Sequence, residues 1–291
     1  MKLAWIAREN RGVPAAQADG PWIEVSAAWE AYARSLGLVD LPPPRDLRDM
    51  IEHGAASPEF IHFAHDFSVR ETIENPRFLQ PLTPRKIIGM GRNYLEHVRE
   101  LNNDVPPEPL FFAKSPTATI GPEESIVIEP WYGRVDHEGE ITVVVGRRCR
   151  HVSSADAMNY VAGFTLLNDV TAREMQKRDM DMGHPWFRSK SLDTFCPVGP
   201  SITLTASIPL PLELDIAVRV NGEVRQQSNT RQFIYSLPDM IAYVSRHMTL
   251  EPGDLIATGT PEGISALKHG DVVEVESPLL GTLRNPVVVV S

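Results

Sequence analysis

From Lys86 onward the chain is a succession of short apolar runs: KIIGMG, LFFAK, SIVIE, EITVVVG, AGFTLLN, DIAVRV, EVRQQ, DLIATG, VVEVE and VVVVS. Each has the length of a strand, and β-branched residues are frequent in them. Three stretches between them read as helix: one after Asn93, one around Ala155 to Tyr160, and one from Pro238 to His247 behind Ser236. Serine is a good N-cap, and proline suits the first helical turn. Strands and helices do not alternate, so a doubly wound parallel sheet is disfavoured and an α+β, β-rich domain is predicted. Asn221-Gly222, between DIAVRV and EVRQQ, predicts a two-residue hairpin, because both turn residues tolerate positive φ.

Ahead of this region lies a different pattern: strand-like KLAWIA, a turn around ADGPW, helical SAAWEAYARSLG, then LPPP and two further helical pieces to about Val69. The proline-bearing FLQPLTPRK is the expected junction. The predicted division is a small N-terminal α/β appendage over residues 1–80 and a catalytic domain over 81–291. With 291 residues, 42% of them hydrophobic, the chain has enough apolar surface for a sizeable core. A formal net charge of -10 argues against a nucleic-acid surface, which depends on clustered cations, and favours a small-molecule ligand. Cys149 and Cys196 form no CxxC pair, so neither a disulfide framework nor a thiolate zinc site is expected, and a reducing cytoplasm fits. MKLAWIARENRG breaks into charge before a signal-like apolar region develops, and no apolar run is long enough to span a bilayer. GMGRNY lacks the third glycine and the acidic residue of a dinucleotide fingerprint.

Chemistry concentrates in VDHEGEITVVVG, Val135 to Gly146. Side chains alternate across a strand, so Glu138, Glu140, Thr142 and Val144 share one face, and His137, Gly139, Ile141 and Val143 the other. Two carboxylates held about 7 Å apart on an apolar strand repel each other and resist desolvation unless a cation lies between them. Asp169 stands at the end of the next run, GFTLLND, where a third carboxylate would complete a hard oxygen site suited to Mg²⁺, Mn²⁺ or Ca²⁺. Taken alone, Asp169 reads instead as the cap of the following helix, with Thr171 to Glu174 as its first turn. A 2-His-1-carboxylate site is disfavoured, because His137 is in phase with Gly139 and not with the glutamates. Asn93 and Glu96 resemble a helix-start box, and His97 and Glu100, three apart on the helix that follows, are neighbours. Such a pair is either an exposed ion pair or an oriented general base.

The stretches GRNYLEHVREL, PLFFAKSPTATIGP, VDHEGEITVVVG, AGFTLLNDVTAREMQ, WFRSKSLDTFCPVGP, VNGEVRQ and TLEPGDLIATGTPEG, in this order, resemble the fumarylacetoacetate hydrolase superfamily. The similarity is to its shorter, bacterial-type members acting on 2-oxo acids, such as acylpyruvate hydrolases and 2-hydroxyhepta-2,4-diene-1,7-dioate isomerases. The resemblance implies a mixed β-sandwich or roll, with a divalent metal held by Glu138, Glu140 and Asp169. It further implies that His97 and Glu100 form a catalytic dyad on a mobile lid, and that Lys190 faces the developing oxyanion with Arg173 and Gln176 as further donors. Gly259 and Thr260 of TGTPEG are then the substrate-carboxylate site. Lys114 of FFAKS falls in a matching stretch and is given no role.

The implied activity is metal-dependent hydrolysis of a C–C bond in an acylpyruvate-type 2-oxo acid through a metal-stabilised enolate. Decarboxylation of an oxaloacetate-type substrate and isomerisation of a 2-hydroxydienoate pass through the same enolate and stand as alternatives. A non-catalytic metal- or carboxylate-binding protein is the alternative of another class; it would need neither the dyad nor Lys190. Related enzymes are commonly dimers, and VVVVS at the C-terminal end suggests a surface covered elsewhere, so a homodimer is expected.

Overall fold

The computed structural model describes residues 1–38, 41–67, 71–100 and 104–290. Val69, the approximate end of the N-terminal helical pieces, and Leu101, the end of GRNYLEHVREL, lie outside them. The fold is mixed α and β, with large sheets and few helices. One sheet of eleven strands has the main order Glu71–Ile73, Trp22–Glu24, Arg11–Gln17, Lys2–Arg8, Cys196–Leu204, Val161–Asn168, Gly139–Val145, Leu255–Ala257, Ile87–Gly91, Leu110–Lys114, with Thr119–Ile120 pairing off this path. A second sheet of five strands runs Glu223–Asn229, Asp215–Val220, Val272–Ser277, Gly281–Val289, Ile126–Ile128.

The two faces of Gly139–Val145 meet different neighbours, and every residue of the strand is buried. Ile141, Val143 and Val145 share a core with Val218, Val275 and Leu283 of the five-stranded sheet and with Met240 and Val244 of the helix Leu237–His247. Val144 belongs to a second core, with Leu167, Val198 and Leu255, covered by Trp29, Met50 and Phe60 of the N-terminal helices. Gly139 is small because the sheets approach closely there: a Cβ would lie 2.3 Å from Val218 Cγ2 and 3.1 Å from Val275 Cγ1.

The N-terminal segment shares this architecture. Lys2–Arg8 pairs antiparallel with Cys196–Leu204, matching Lys2 to Thr203 and Leu3 to Ile202, and so extends the large sheet. Helices Ser26–Ser35, Leu47–Glu52 and Pro58–Asp66 occupy the region read as helical. The Asn221-Gly222 hairpin is present, with φ of 54° and 80°. Ser236 caps Leu237–His247 by accepting from the Asp239 N–H.

Several expectations change. The helix around Ala155 is a single 3-10 turn, Ala157–Tyr160, because the following residues already belong to the strand Val161–Asn168. Asn93 does not serve as a helix cap: its Oδ1 accepts from the Tyr235 N–H and its Nδ2 donates to the Thr258 carbonyl. Thr171–Ala172 pairs with Val135–Asp136, so the helix starts only at Arg173. The valine run at the C-terminal end lies in Gly281–Val289, which pairs with Val272–Ser277 on one side and Ile126–Ile128 on the other. That run therefore finds its partners within the chain.

Candidate active site

Strand register assembles the acids. Gly139 pairs with Asn168 and Glu140 with Leu167, which carries Asp169 just past the pairing to the side of Glu138. The Asp169 N–H donates to the Glu138 carbonyl at 2.7 Å, and the Glu138 N–H donates to Asn168 Oδ1 at 2.9 Å. Glu138, Glu140 and Asp169 are all buried, and one oxygen of each lies within 4.8 Å of the others. Asp169 caps no helix, since Ala172 holds the cap position with no side-chain bond. His137 points to the other face, where Nδ1 meets Gln226 Oε1 at 3.0 Å and Nε2 meets Ser265 Oγ at 2.9 Å.

Cations reach two of the acids directly. Lys190 Nζ donates to Glu138 Oε2 at 2.7 Å and to Asp169 Oδ2 at 2.5 Å. Lys114 Nζ donates to Asp169 Oδ1 at 2.6 Å and to the Lys190 carbonyl, and its side chain is fully buried. Arg173 donates to Glu138 and, through Nε, to Asp136 Oδ2 at 2.9 Å, while its other nitrogen reaches Gln176 Oε1 at 2.7 Å. Burial raises the pKa of Glu138, but Lys190 and Arg173 outweigh it and hold the carboxyl well below the usual range. Lys190 is likewise opposed by burial, yet Asp169 and Glu138 raise its pKa.

Glu140 differs. Its Oε2 accepts the Gly259 N–H at 2.7 Å, and no cation bonds to it among the described residues. Burial, then Asp169 and Glu138, push its pKa well above the ordinary value. Lys190 opposes this shift without reversing it, and a buried carboxyl with two anionic neighbours and no cation bonded to it among the described residues is what an oxygen-ligated divalent ion would relieve. The donor set, three carboxylates and no sulfur or imidazole, fits Mg²⁺, Mn²⁺ or Ca²⁺.

The fold brings His97 and Glu100 together. His97 Nδ1 lies 2.9 Å from Glu100 Oε2, and because an ionised carboxylate only accepts, Nδ1 is the donor of this bond. Glu100 Oε1 accepts from the Gly263 N–H at 3.0 Å. Burial works against the charge on Glu100, but these hydrogen bonds prevail and its pKa is lowered. His97 is 6% exposed while Glu100 is exposed, so the imidazole is sheltered and its carboxylate partner faces outward.

These groups border a cavity of about 420 Å³. His97, Glu138, Glu140, Asp169, Arg173, Gln176, Lys190 and Thr260 line it. Gly259 does not; its N–H is directed at Glu140, and its φ of 97° suits glycine. The Thr260 hydroxyl donates to the Gly139 carbonyl at 2.9 Å and accepts from Gln226 Nε2 at 2.8 Å, so it is already engaged. Sequence reasoning missed Lys114 as a partner of Asp169, Asp136 as the anchor of Arg173, and the wall made by Met90, Phe112 and Trp186. A lysine closing an apolar strand and a third acid in VDHEGE were the available signals. The aromatic wall left none, because Phe112 and Trp186 are far apart in the chain and meet at 5.6 Å only in the fold.

A cavity lined by a histidine, three buried carboxyls and a buried lysine, set on packed β-sheets, suits small-molecule chemistry. Residues 86–288 match the family described as fumarylacetoacetate (FAA) hydrolase C-terminal, and the chain belongs to that family. It is 39% identical over 281 residues to the mitochondrial oxaloacetate tautomerase FAHD2A of Homo sapiens, covering 92% of this chain and 88% of that relative. Among solved structures it is similar to a 5-carboxymethyl-2-hydroxymuconate delta-isomerase from Mycobacterium smegmatis, at 32% identity, TM-score 0.76 and full coverage of both chains. It is also similar to a fumarylacetoacetate hydrolase from the psychrophilic Exiguobacterium antarcticum, at 29% identity, TM-score 0.83 and full coverage of both. No helix among the described residues is long and apolar enough to cross a membrane.

Proposed function

We propose that this chain is a divalent-metal-dependent enzyme that moves a proton at the carbon next to the keto group of a 2-oxo acid, interconverting keto and enol forms. The observation that carries the reading is that His97, hydrogen-bonded to Glu100 outside the lining, borders the same cavity as Glu138, Glu140, Asp169 and Lys190. Glu138, Glu140 and Asp169 would hold the ion, which when bound supplies Lewis-acid polarisation of the oxo acid head. Glu100 holds Nδ1 of the imidazole, which leaves Nε2 as the nitrogen to take a proton and return it. Lys190 and Arg173 place positive charge beside the position where enolate charge develops. Gln176 steadies Arg173, and Met90, Phe112 and Trp186 give the cavity an apolar wall that limits competing water.

Similarity to an oxaloacetate tautomerase over most of the chain supports proton transfer as the net reaction. C–C bond hydrolysis of an acylpyruvate is the second reading, favoured by the likeness to the Exiguobacterium hydrolase across the whole chain. In that reaction His97 activates a water instead of a substrate carbon. The test is turnover of oxaloacetate enol and of an acylpyruvate by the same preparation. Tautomerisation abolished by EDTA and restored by Mg²⁺ or Mn²⁺ is the expected result, with a loss of about 10²- to 10⁴-fold in His97→Ala. Full activity in EDTA, or in His97→Ala, would discard the reading.

A further inference from the structure

The stretch VNGEVRQ ends in a glutamine that the chemistry proposed above does not use. Gln226 lies on the edge strand Glu223–Asn229 of the five-stranded sheet, outside the cavity lining, and is 1% exposed. In a regular strand Val224 and Gln226, two apart, would share a face. Here the register shifts: Val218 pairs with Gln226 and Arg219 with Val224, so Arg225 is an extra residue, a bulge. The outcome reverses the hydrophobic order, with the valine 42% exposed and the amide buried. A polar side chain turned inward in place of an apolar one needs partners to compensate it.

Gln226 has four. Its Oε1 accepts from the Gly139 N–H at 3.1 Å and from His137 Nδ1 at 3.0 Å. Its Nε2 donates to the Pro261 carbonyl at 2.7 Å and to the Thr260 hydroxyl at 2.8 Å. A backbone N–H only donates and a carbonyl only accepts, so these partners fix which end of the amide is which and use its whole capacity. The amide thus ties the residue between Glu138 and Glu140 to the loop of residues 258–263. That loop gives one N–H to each part of the site, Gly259 to Glu140 and Gly263 to Glu100. Thr258 fastens its start by donating to the Ile141 carbonyl, and Gln226 fastens its middle. Gly263 rests on the bulge: a Cβ would lie 1.9 Å from the Arg225 carbonyl oxygen, and its φ of 100° favours glycine.

We propose that Gln226 is a positioning residue: from behind the site it sets the loop so that Gly259 and Gly263 hold Glu140 and Glu100, and it thereby links the acid cluster to the His97–Glu100 pair. What the two carboxylates do rests on the function proposed above; the positioning rests on the amide, the bulge and the two glycines.

The test uses the full chain and two variants. Gln226→Met keeps the length and removes every polar contact; Gln226→Glu keeps an oxygen toward Gly139 and His137 and removes the donors to Thr260 and Pro261. Amide hydrogen exchange of the metal-free protein should be faster by about 10-fold over residues 258–263, while Gly139–Val145 keeps its protection. Calorimetric titration with Mn²⁺ should show affinity lower by about 10- to 100-fold, the range for a residue that supports a metal ligand. At saturating Mn²⁺, kcat should stay lowered, because Glu100 has lost its N–H as well; a fault in metal affinity alone would be overcome. Where Gln226→Met does not fold, the same readouts on Gln226→Glu decide. Unchanged loop exchange, unchanged affinity where the wild type binds Mn²⁺, or faster exchange spread equally over Gly139–Val145 would overturn the proposal. Faster loop exchange in a protein that binds no Mn²⁺ and turns over no 2-oxo acid supports the positioning and rejects the function.

Discussion

At the scale of single residues, Glu140 is the informative one. It is buried beside two other acids, and among the described residues its hydrogen bond comes from the Gly259 N–H, so its ionised form opposes folding until a cation arrives. Glu140→Gln keeps an acceptor for Gly259 and removes that charge. The metal-free variant should therefore melt above the metal-free wild type, while the rise in Tm on adding Mg²⁺ should shrink, because ligand-linked stabilisation follows affinity. Differential scanning calorimetry with and without Mg²⁺ reads both, and a lower metal-free Tm in the variant would contradict the assignment. The trio was legible in the sequence because strand periodicity puts Glu138 and Glu140 on one face, and charged residues in an apolar run demand a reason. The dyad was legible from helical spacing. Lys114 was marked only as a lysine closing an apolar strand; its partner was not legible, since Leu110–Lys114 lies at the sheet edge and its side chain turns toward Asp169 by long-range register.

At the scale of elements, Gly139–Val145 is held between two cores, and at Gly139 the five-stranded sheet approaches it closely. Gly139→Ala places a methyl against Val218 and should cost about 1–3 kcal/mol of stability, the usual range for overpacking. Pairing it with Val218→Ala frees the space and should recover part of the loss. Denaturant unfolding of both variants measures this, and an additive penalty in the double variant would show that contact with Val218 is not the cause. The sequence explained Gly139 only as a spacer; that it admits a second sheet appears once Val218 and Val275 are placed above it. Prolines hid another element. Cys196–Leu204 contains Pro197 and Pro200, which argue against a strand on local grounds, yet it is an interior member of the large sheet.

At the scale of the whole molecule, the N-terminal 80 residues were read as an appendage, while pairing of Lys2–Arg8 with Cys196–Leu204 makes them one sheet with the rest. Their helices cover Val144, Leu167, Val198 and Leu255. A chain of residues 81–291 would expose that apolar face and an unpaired strand edge, both of which favour aggregation. It should elute as aggregate in gel filtration or unfold without a cooperative transition. A monodisperse fragment melting at the full-length temperature would mean that the face is covered in another way. The pairing was invisible in the sequence because it joins segments some two hundred positions apart, and neither segment names its partner.

The carboxylates and the outer lining hang on different supports. Glu138, Glu140 and Asp169 are fixed by strand pairing, whereas Arg92 sits on a turn, and Lys177, Met180, Asp181 and Trp186 ride on Arg173–Asp181 and the segment after it. That segment is fastened back by Arg188, which grips Asp179 through two bonds of 2.9 Å. Inheritance can work on these parts separately. On the function proposed above, a lineage that exchanges one outer side chain keeps its chemistry and tries a new molecule, while a change at the strand ends forfeits both. Duplicate copies of such a gene are thus free to part ways by appetite long before they part ways by reaction.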